Sequence, residues 1–331
     1  MTDAKDIGIF PASGGLGEST IQHLLKFIPA ASLTLLARNP EKRAAESRQG
    51  AVVRRADYDD AASLERVFEG ISVLFLISYA SCEHEHRSRA HRMAIDAAIR
   101  SGVKHIFYSS LAFGGNLSKE TAALVMRAHI DTEVYLEELA RAHQSSFTYT
   151  VIREGLYSES FPIYTAFFDP RNPVTEIKIP HDGSAPGVAW VKRDELGEAT
   201  AKLIAAYAQN PLGFPYSNQI LLLTGSRVLT LAETVAVVSQ IIGRNDIRIK
   251  KVSVEEYAAQ PQNAPMLTYH GVDLSKEWAT AWKAIANGEC NVVTPLLGET
   301  LGREPEDFET TIRRQVEGQK WHELQLQRRA S

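Results

Sequence analysis

A doubly wound α/β fold, a parallel sheet covered by helices on both faces, is predicted for this 331-residue chain by three observations. Short apolar runs alternate with helical segments through the first half. A glycine-rich turn joins the first strand to the first helix. Polar residues recur at the carboxyl ends of successive strands, where such sheets open their ligand crevice.

The elements follow in order. Asp6-Ile7-Gly8-Ile9-Phe10 reads as a strand, Pro11-Ala12-Ser13-Gly14-Gly15-Leu16-Gly17 as the turn, and residues 18–27 as an amphipathic helix. That context suits a dinucleotide pyrophosphate. Gly14 lets backbone approach the phosphates, Gly17 lets the helix pack close to the strand, and the helix start offers free N–H groups. Pro11 stands where G-x-x-G-x-x-G places its first glycine, with a fixed φ and no N–H. On the loop alone, an ordinary strand–helix turn that binds nothing is the competing reading.

Residues 32–37 read as a second buried strand, ending in Arg38-Asn39-Pro40-Glu41-Lys42-Arg43. In a Rossmann βαβ unit this strand end faces the adenosine ribose, where an acid accepts the 2′-OH and an arginine accommodates a 2′-phosphate. Arg38 occupies the tip and no acid does, which predicts NADP(H) over NAD(H). Lys42 and Arg43 read as a solvated basic helix start.

The alternation continues with a strand at 52–55 ending in Ala56-Asp57-Tyr58, a helix at 63–69, and a strand at 73–77 ending in Ser78-Tyr79. A helix at 91–101, a strand at 105–108 ending in Ser109-Ser110, a long helix within 122–143 and a sixth strand at 147–152 complete the half. Ser13, Arg38, Asp57, Ser78, Tyr79 and Ser110 all stand at strand ends. The pattern predicts a Rossmann domain over 1–153 and a smaller α+β substrate lobe over 154–331, interleaved with the first through its strands. In the second half, 188–191 reads as a strand leading into Arg193-Asp194-Glu195-Leu196-Gly197 and a helix at 198–208. A strand at 219–224 and an amphipathic helix at 231–242, introduced by Thr230, follow; residues 319–331 are polar and expected to fray.

Hydrophobic residues make up 44% of the chain, and the net charge is −4, which predicts a packed core and no electrostatic footprint for nucleic acid. No apolar run spans a bilayer, and the start reads as no signal peptide. Two cysteines, Cys82 and Cys290, make no disulfide framework, and a cytoplasmic location is the expectation.

Gly14-Gly15-Leu16-Gly17, Ala37-Arg38-Asn39-Pro40, Ala56-Asp57-Tyr58, Leu76-Ile77-Ser78, Gly102-Val103-Lys104, Tyr108-Ser109-Ser110-Leu111 and His129-Ile130-Asp131-Thr132-Glu133 occur in an order that resembles the NmrA-like group of atypical short-chain dehydrogenases. Within it, the chain is most similar to the NADPH:quinone oxidoreductase and triphenylmethane-reductase branch. Arg153-Glu154-Gly155-Leu156-Tyr157-Ser158-Glu159 and Leu229-Thr230-Leu231 extend the match, which covers about residues 5 to 260. The resemblance implies that Ser13, Gly14, Gly15 and Leu16 cradle the pyrophosphate, Arg38 the 2′-phosphate, and Asp57 and Tyr58 the adenine edge. It places Ser78 and Tyr79 along the middle of the cofactor. Glu154, Gly155, Leu156 and Tyr157 would stand beside the nicotinamide, with Lys192 reaching in from the second lobe.

An ordinary short-chain dehydrogenase uses Tyr-x-x-x-Lys, the lysine lowering the tyrosine pKa for proton transfer. No tyrosine here has a lysine four residues later. The long helix instead carries His129 and Glu133, four apart and able to face the crevice together. This fits hydride transfer to an acceptor that stabilises its own anion, such as a quinone, a conjugated enone or a cationic dye. The expected catalytic residues are His129, Tyr157 and Ser110, although His129 and Glu133 satisfying each other structurally is an equal reading. The expected partner is a small planar aromatic or quinone-like molecule, with homodimerisation left open. The alternative function is a catalytically weak NADP(H) sensor acting through a protein partner.

Tyr157, Phe161, Tyr164, Phe167 and Phe168 read either as a wall for a planar substrate or as a core edge. Cys82-Glu83-His84-Glu85-His86, with His91 beyond, has zinc-type donors but no second ligand group at finger spacing. It reads as a solvated loop, and no metal is expected.

Overall fold

The computed structural model describes residues 6–143 and 146–318; the expected frayed segment 319–331 lies outside them. In chain order the main sheet is formed by β1 (Asp6–Phe10), β2 (Leu33–Ala37), β3 (Val52–Arg55), β4 (Ile71–Ile77), β5 (His105–Leu111) and β6 (Thr148–Glu154). After β7 (Glu176–Ile179), β8 (Gln219–Leu223) rejoins it, giving the order β3-β2-β1-β4-β5-β6-β8 with every pairing parallel. The sheet is a Rossmann-type doubly wound α/β sheet. β2 is buried along its whole length, as a strand covered on both faces must be, and Ile9 lies in register with Leu35 on one side and Phe75 on the other.

The helices are α1 (Gly14–Leu24), the short α2 (Ala44–Arg48) and α3 (Ala61–Leu64), α4 (His84–Arg100), α5 (Leu124–His143), α6 (Arg193–Gln209) and α7 (Leu231–Ile241). β9 (Arg248–Lys251) pairs with β7 in a separate parallel ribbon. Then come α8 (Val254–Ala258), α9 (Asn263–Leu267), the hairpin β10 (Thr268–Tyr269) and β11 (Val272–Asp273), α10 (Ser275–Ala286) and α11 (Leu296–Leu301). One apolar layer lies between the sheet and α1, α6 and α11, through Ile9, Leu24, Phe75, Leu196, Ile204 and Leu297. A second lies on the opposite face, where Leu74, Ile95, Tyr108 and Leu136 join the sheet to α4 and α5. A third fills the second half around Tyr164, Trp190, Tyr257, Trp278 and Trp282. β8 and α6, both from beyond residue 153, belong to the first layer, and α6 packs along α1.

Several boundaries differ from the expectation: α1 starts at Gly14, four residues ahead of 18, and β5 runs on to Leu111, three residues past 108. The helix expected at 63–69 is only α3, because Asp60 caps it early, accepting from the Ser63 N–H, and Arg66 adopts a left-handed φ of 60°. α4 begins at His84, seven residues ahead of 91, its first turns being charged, with Arg87 as the buried position, so that no apolar periodicity marks them. Residues 188–191 form isolated bridges, Val188 to Leu229 and Tyr157 to Val191, and no strand. α6 takes up Arg193 to Gly197, which the sequence placed in its approach. Thr230 does introduce α7, in a reciprocal cap with Glu233.

Candidate active site

A cleft of about 700 Å³ opens at the carboxyl ends of β1, β2 and β4, the size of a small-molecule site. It brings together Ser13, Gly14, Gly15, Leu16, Arg38, Asp57, Tyr58, Ser78, Tyr79 and Tyr157. Lys42, Arg43 and Ser109 join them.

The glycine turn forms one wall. Gly14 has φ +76°, a left-handed conformation, with open space where a side chain would stand. Ser13 caps α1 with no side-chain hydrogen bond, so its hydroxyl takes up none of the first-turn N–H groups. A Cβ on Gly17 would lie 2.9 Å from the Pro11 carbonyl oxygen, so the helix seats against the turn only with glycine there. The turn, the free N–H groups and the cleft fit a dinucleotide pyrophosphate. A Cβ on Gly15 would lie 2.3 Å from Arg193 Cζ, which puts the Arg193 guanidinium directly over the turn. Sequence reading missed Arg193, which lies 180 residues from the motif; its place at the start of an unrecognised helix turn was the only signal.

At the other wall, Arg38 is exposed and forms no ion pair among the described residues. Arg43 departs from its solvated reading: its side chain is largely buried, 2.6 Å from Glu18 and 3.4 Å from Glu46. Tyr58 is buried, and its hydroxyl donates to the Ile77 carbonyl at 2.7 Å, leaving the ring to shape the cleft. The Asp57 carboxylate accepts from the Asp59 N–H at 3.2 Å, and the Tyr79 hydroxyl donates to Asp59 Oδ2 at 2.8 Å.

Tyr157 reaches the cleft from behind β6. Its hydroxyl donates to Glu154 Oε2 at 2.6 Å, while Glu154 Oε1 has no hydrogen-bond partner among the described residues. Burial raises the Glu154 pKa to about 8, hydrogen bonds from Tyr157 and Ser109 acting only partly against it. A buried carboxyl whose proton is held more tightly than usual therefore stands behind Tyr157, bonded to the hydroxyl of a residue that lines the cleft. Gly155 and Leu156 lie outside the cleft lining: the Gly155 N–H is bound to the Leu223 carbonyl at 2.8 Å, and the Leu156 side chain packs in the third core.

Three expected placements need correction. Ser110 is buried and donates to Glu133 Oε1 at 2.6 Å; its neighbour Ser109 lines the cleft instead, because successive strand residues face opposite sides of the sheet. His129 and Glu133 do not face the crevice, and they do not pair. Glu133 makes a fully buried bidentate ion pair with Arg153, at 2.9 and 2.7 Å. His129 Nε2 accepts from Arg87 at 2.7 Å, so the proton sits on Nδ1 and is donated to the Tyr108 hydroxyl at 3.0 Å. Burial, with Arg87 beside it, lowers the His129 pKa and keeps the ring neutral. Lys192 does not reach in: its ammonium lies 3.2 Å from Glu306. Phe161, Tyr164 and Phe168 are core residues, packed against Phe308, Trp190 and Trp278, which leaves Tyr157 as the aromatic of that group in the cleft.

The fold and cleft define a dinucleotide-type Rossmann protein. The NmrA-like family model matches residues 3–281, and the chain belongs to that family. It is 30% identical over 319 residues to the NmrA-like family domain-containing oxidoreductase flvB of Aspergillus flavus, covering 95% of this chain and 96% of that one. Quinone oxidoreductase 2 of Escherichia coli is 40% identical over 156 residues, 47% of this chain and 50% of that protein. Among solved structures, the E. coli NADPH-dependent quinone oxidoreductase QOR2 complexed with NADPH superposes with TM-score 0.75 at 26% identity, covering 94% of this chain and 99% of that one. The Citrobacter sp. triphenylmethane reductase complexed with NADP(H) gives 0.70 at 25%, covering 93% and 99%.

Proposed function

We propose that this chain is an NADPH-dependent reductase that delivers hydride to a quinone-like or other conjugated polycyclic acceptor without a Tyr-x-x-x-Lys relay. The observation that carries the reading is the polarity of one continuous cleft. A glycine turn under Arg193 and a free Arg38 stand at one end, and the Tyr157–Glu154 pair at the other. The relatives named for NADPH-dependent quinone and dye reduction support it.

In this reading Ser13 to Leu16 and Arg193 hold the pyrophosphate, Arg38 and Lys42 hold the 2′-phosphate, and Asp57 and Tyr58 frame the adenine. Bound NADPH supplies the hydride. A quinone accepts a proton as well; in this reading the Tyr157 hydroxyl turns from Glu154 to donate one and is refilled from that carboxyl. His129 and Ser110 serve the framework.

Titration of the purified protein with NADPH and NADH, wild type against Arg38→Ala, followed by NADPH oxidation over a quinone panel, tests the proposal. The expected result is NADPH binding that weakens in Arg38→Ala, and acceptor-dependent oxidation. Binding without oxidation across the panel replaces the reductase with an NADP(H) sensor; no binding of either dinucleotide defeats both.

A further inference from the structure

We propose that Asp59, His86 and His270 form a binding site for a divalent cation of the zinc class at the rim of the cleft. Their ligating atoms lie within 4.8 Å of one another. His86 Nε2 is 2.9 Å and His270 Nε2 3.7 Å from the same oxygen, Asp59 Oδ1. Tetrahedral zinc with bonds of about 2.0–2.1 Å holds its ligand atoms about 3.3 Å apart, and the two distances to Asp59 Oδ1 bracket that spacing. Two imidazoles and a carboxylate leave the fourth position to water, and side-chain exposures of 29%, 33% and 45% for His86, Asp59 and His270 provide the way in.

The surroundings orient these donors as a metal site requires. Glu83 Oε2 accepts from His270 Nδ1 at 2.6 Å, which fixes the tautomer and leaves Nε2 as the ligating atom, 3.5 Å from the Tyr79 hydroxyl and 3.7 Å from Asp59 Oδ1. The Tyr79 hydroxyl takes the other Asp59 oxygen, Oδ2, at 2.8 Å, leaving Oδ1 for the ion. His86 and His270 rings stand 4.6 Å apart by centroid, with no protein group other than Asp59 bonded to His86 Nε2 among the described residues. The ligands come from three separate places: the loop after β3, the first turn of α4, and the tip of the β10–β11 hairpin. Spacing in the sequence hides such a site, because the ligand that completes the Glu83–His86 segment lies on the far side of the chain. A cation here joins the second-half hairpin to the wall formed by Asp57 and Tyr79.

The test uses the full, untagged chain freed of metal by chelator and dialysis, titrated with Co²⁺ and Zn²⁺. One equivalent of Co²⁺ is expected to bind with the intense ligand-field bands of a four-coordinate ion, and Zn²⁺ to displace it and raise the Tm. His270→Gln, at an exposed turn, and His86→Gln are each expected to abolish the bands while circular dichroism stays unchanged. Glu83→Gln should weaken binding about 10- to 100-fold. Absence of stoichiometric binding, weak six-coordinate spectra alone, or binding that persists in both histidine variants overturns the proposal; the last outcome places the ion elsewhere. If one histidine variant fails to fold, the other decides.

Discussion

Arg38 and Tyr157 mark the two ends of the cleft, and each makes a separable prediction. A charge-assisted contact to phosphate contributes about 1.5–3 kcal/mol, so Arg38→Ala should raise the NADPH Kd about 10- to 100-fold and leave the NADH Kd nearly unchanged. Equal losses for both cofactors in calorimetric titration would remove Arg38 from the 2′-phosphate. Tyr157→Phe should lower kcat on the order of 10²-fold with little change in NADPH affinity. Because the Glu154 pKa is raised to about 8, its proton is held at neutral pH and lost as pH rises through that value. Turnover with a quinone should therefore fall above pH 8, and Glu154→Gln should flatten that limb. A profile that falls identically in the variant assigns the limb to another group. His129→Ala belongs to a different class: it strands the buried Arg87, which has carbonyls of Tyr79 and Val125 as its other partners, and should lower the Tm more than it alters kcat.

Whole strands and helices were readable where apolar periodicity or a turn motif marked them. β1, β2, β4 and the glycine turn fall into this class, as does α7 with its Thr230 cap. Readability failed where burial is carried by polar groups. Arg87 is buried in the early part of α4, and His129 and Glu133 share the buried face of α5 with apolar residues such as Val125 and Leu136; a hydrophobic pattern reports none of the three polar groups. Ser110 and Ser109 show the other limit, since β5 runs through both of them to Leu111 and the alternation of its faces decides which hydroxyl meets the cleft. These polar layers have measurable consequences. Breaking the Glu133–Arg153 pair by Glu133→Ala should cost about 3–5 kcal/mol in urea unfolding, because it leaves a buried guanidinium charge. A loss under 1 kcal/mol would mean that water or another carboxylate reaches Arg153. Burial also holds His91, His105 and His129 neutral, their pKa values depressed and that of His105 down to about 3. Unfolded histidines bind protons below about pH 6.5 and these do not. Stability should thus be present above pH 6.5 and decline as pH falls toward 5, by up to about 1.4 kcal/mol per unit for each ring. A denaturant midpoint that stays level from pH 7 to pH 5 would contradict this.

Across the whole molecule, the two halves share one architecture. The second half was legible only as scattered elements, because its contribution to the main sheet is a single strand whose partner lies about 70 residues back, and no local pattern encodes that pairing. The junction is also polar: Ser19 donates to Asp194 at 2.6 Å where α1 meets α6, and Arg193 leans over the turn that begins α1. This placement has a consequence for biosynthesis. As the nascent chain leaves the ribosome, β6 emerges before β8, so its outer edge stays open until residue 223 is free, and α1 lacks its covering helix until residue 209 is free. The emerging polypeptide therefore displays an adhesive strand and an apolar helix face for much of its synthesis, and holding chaperones should recognise it through that interval.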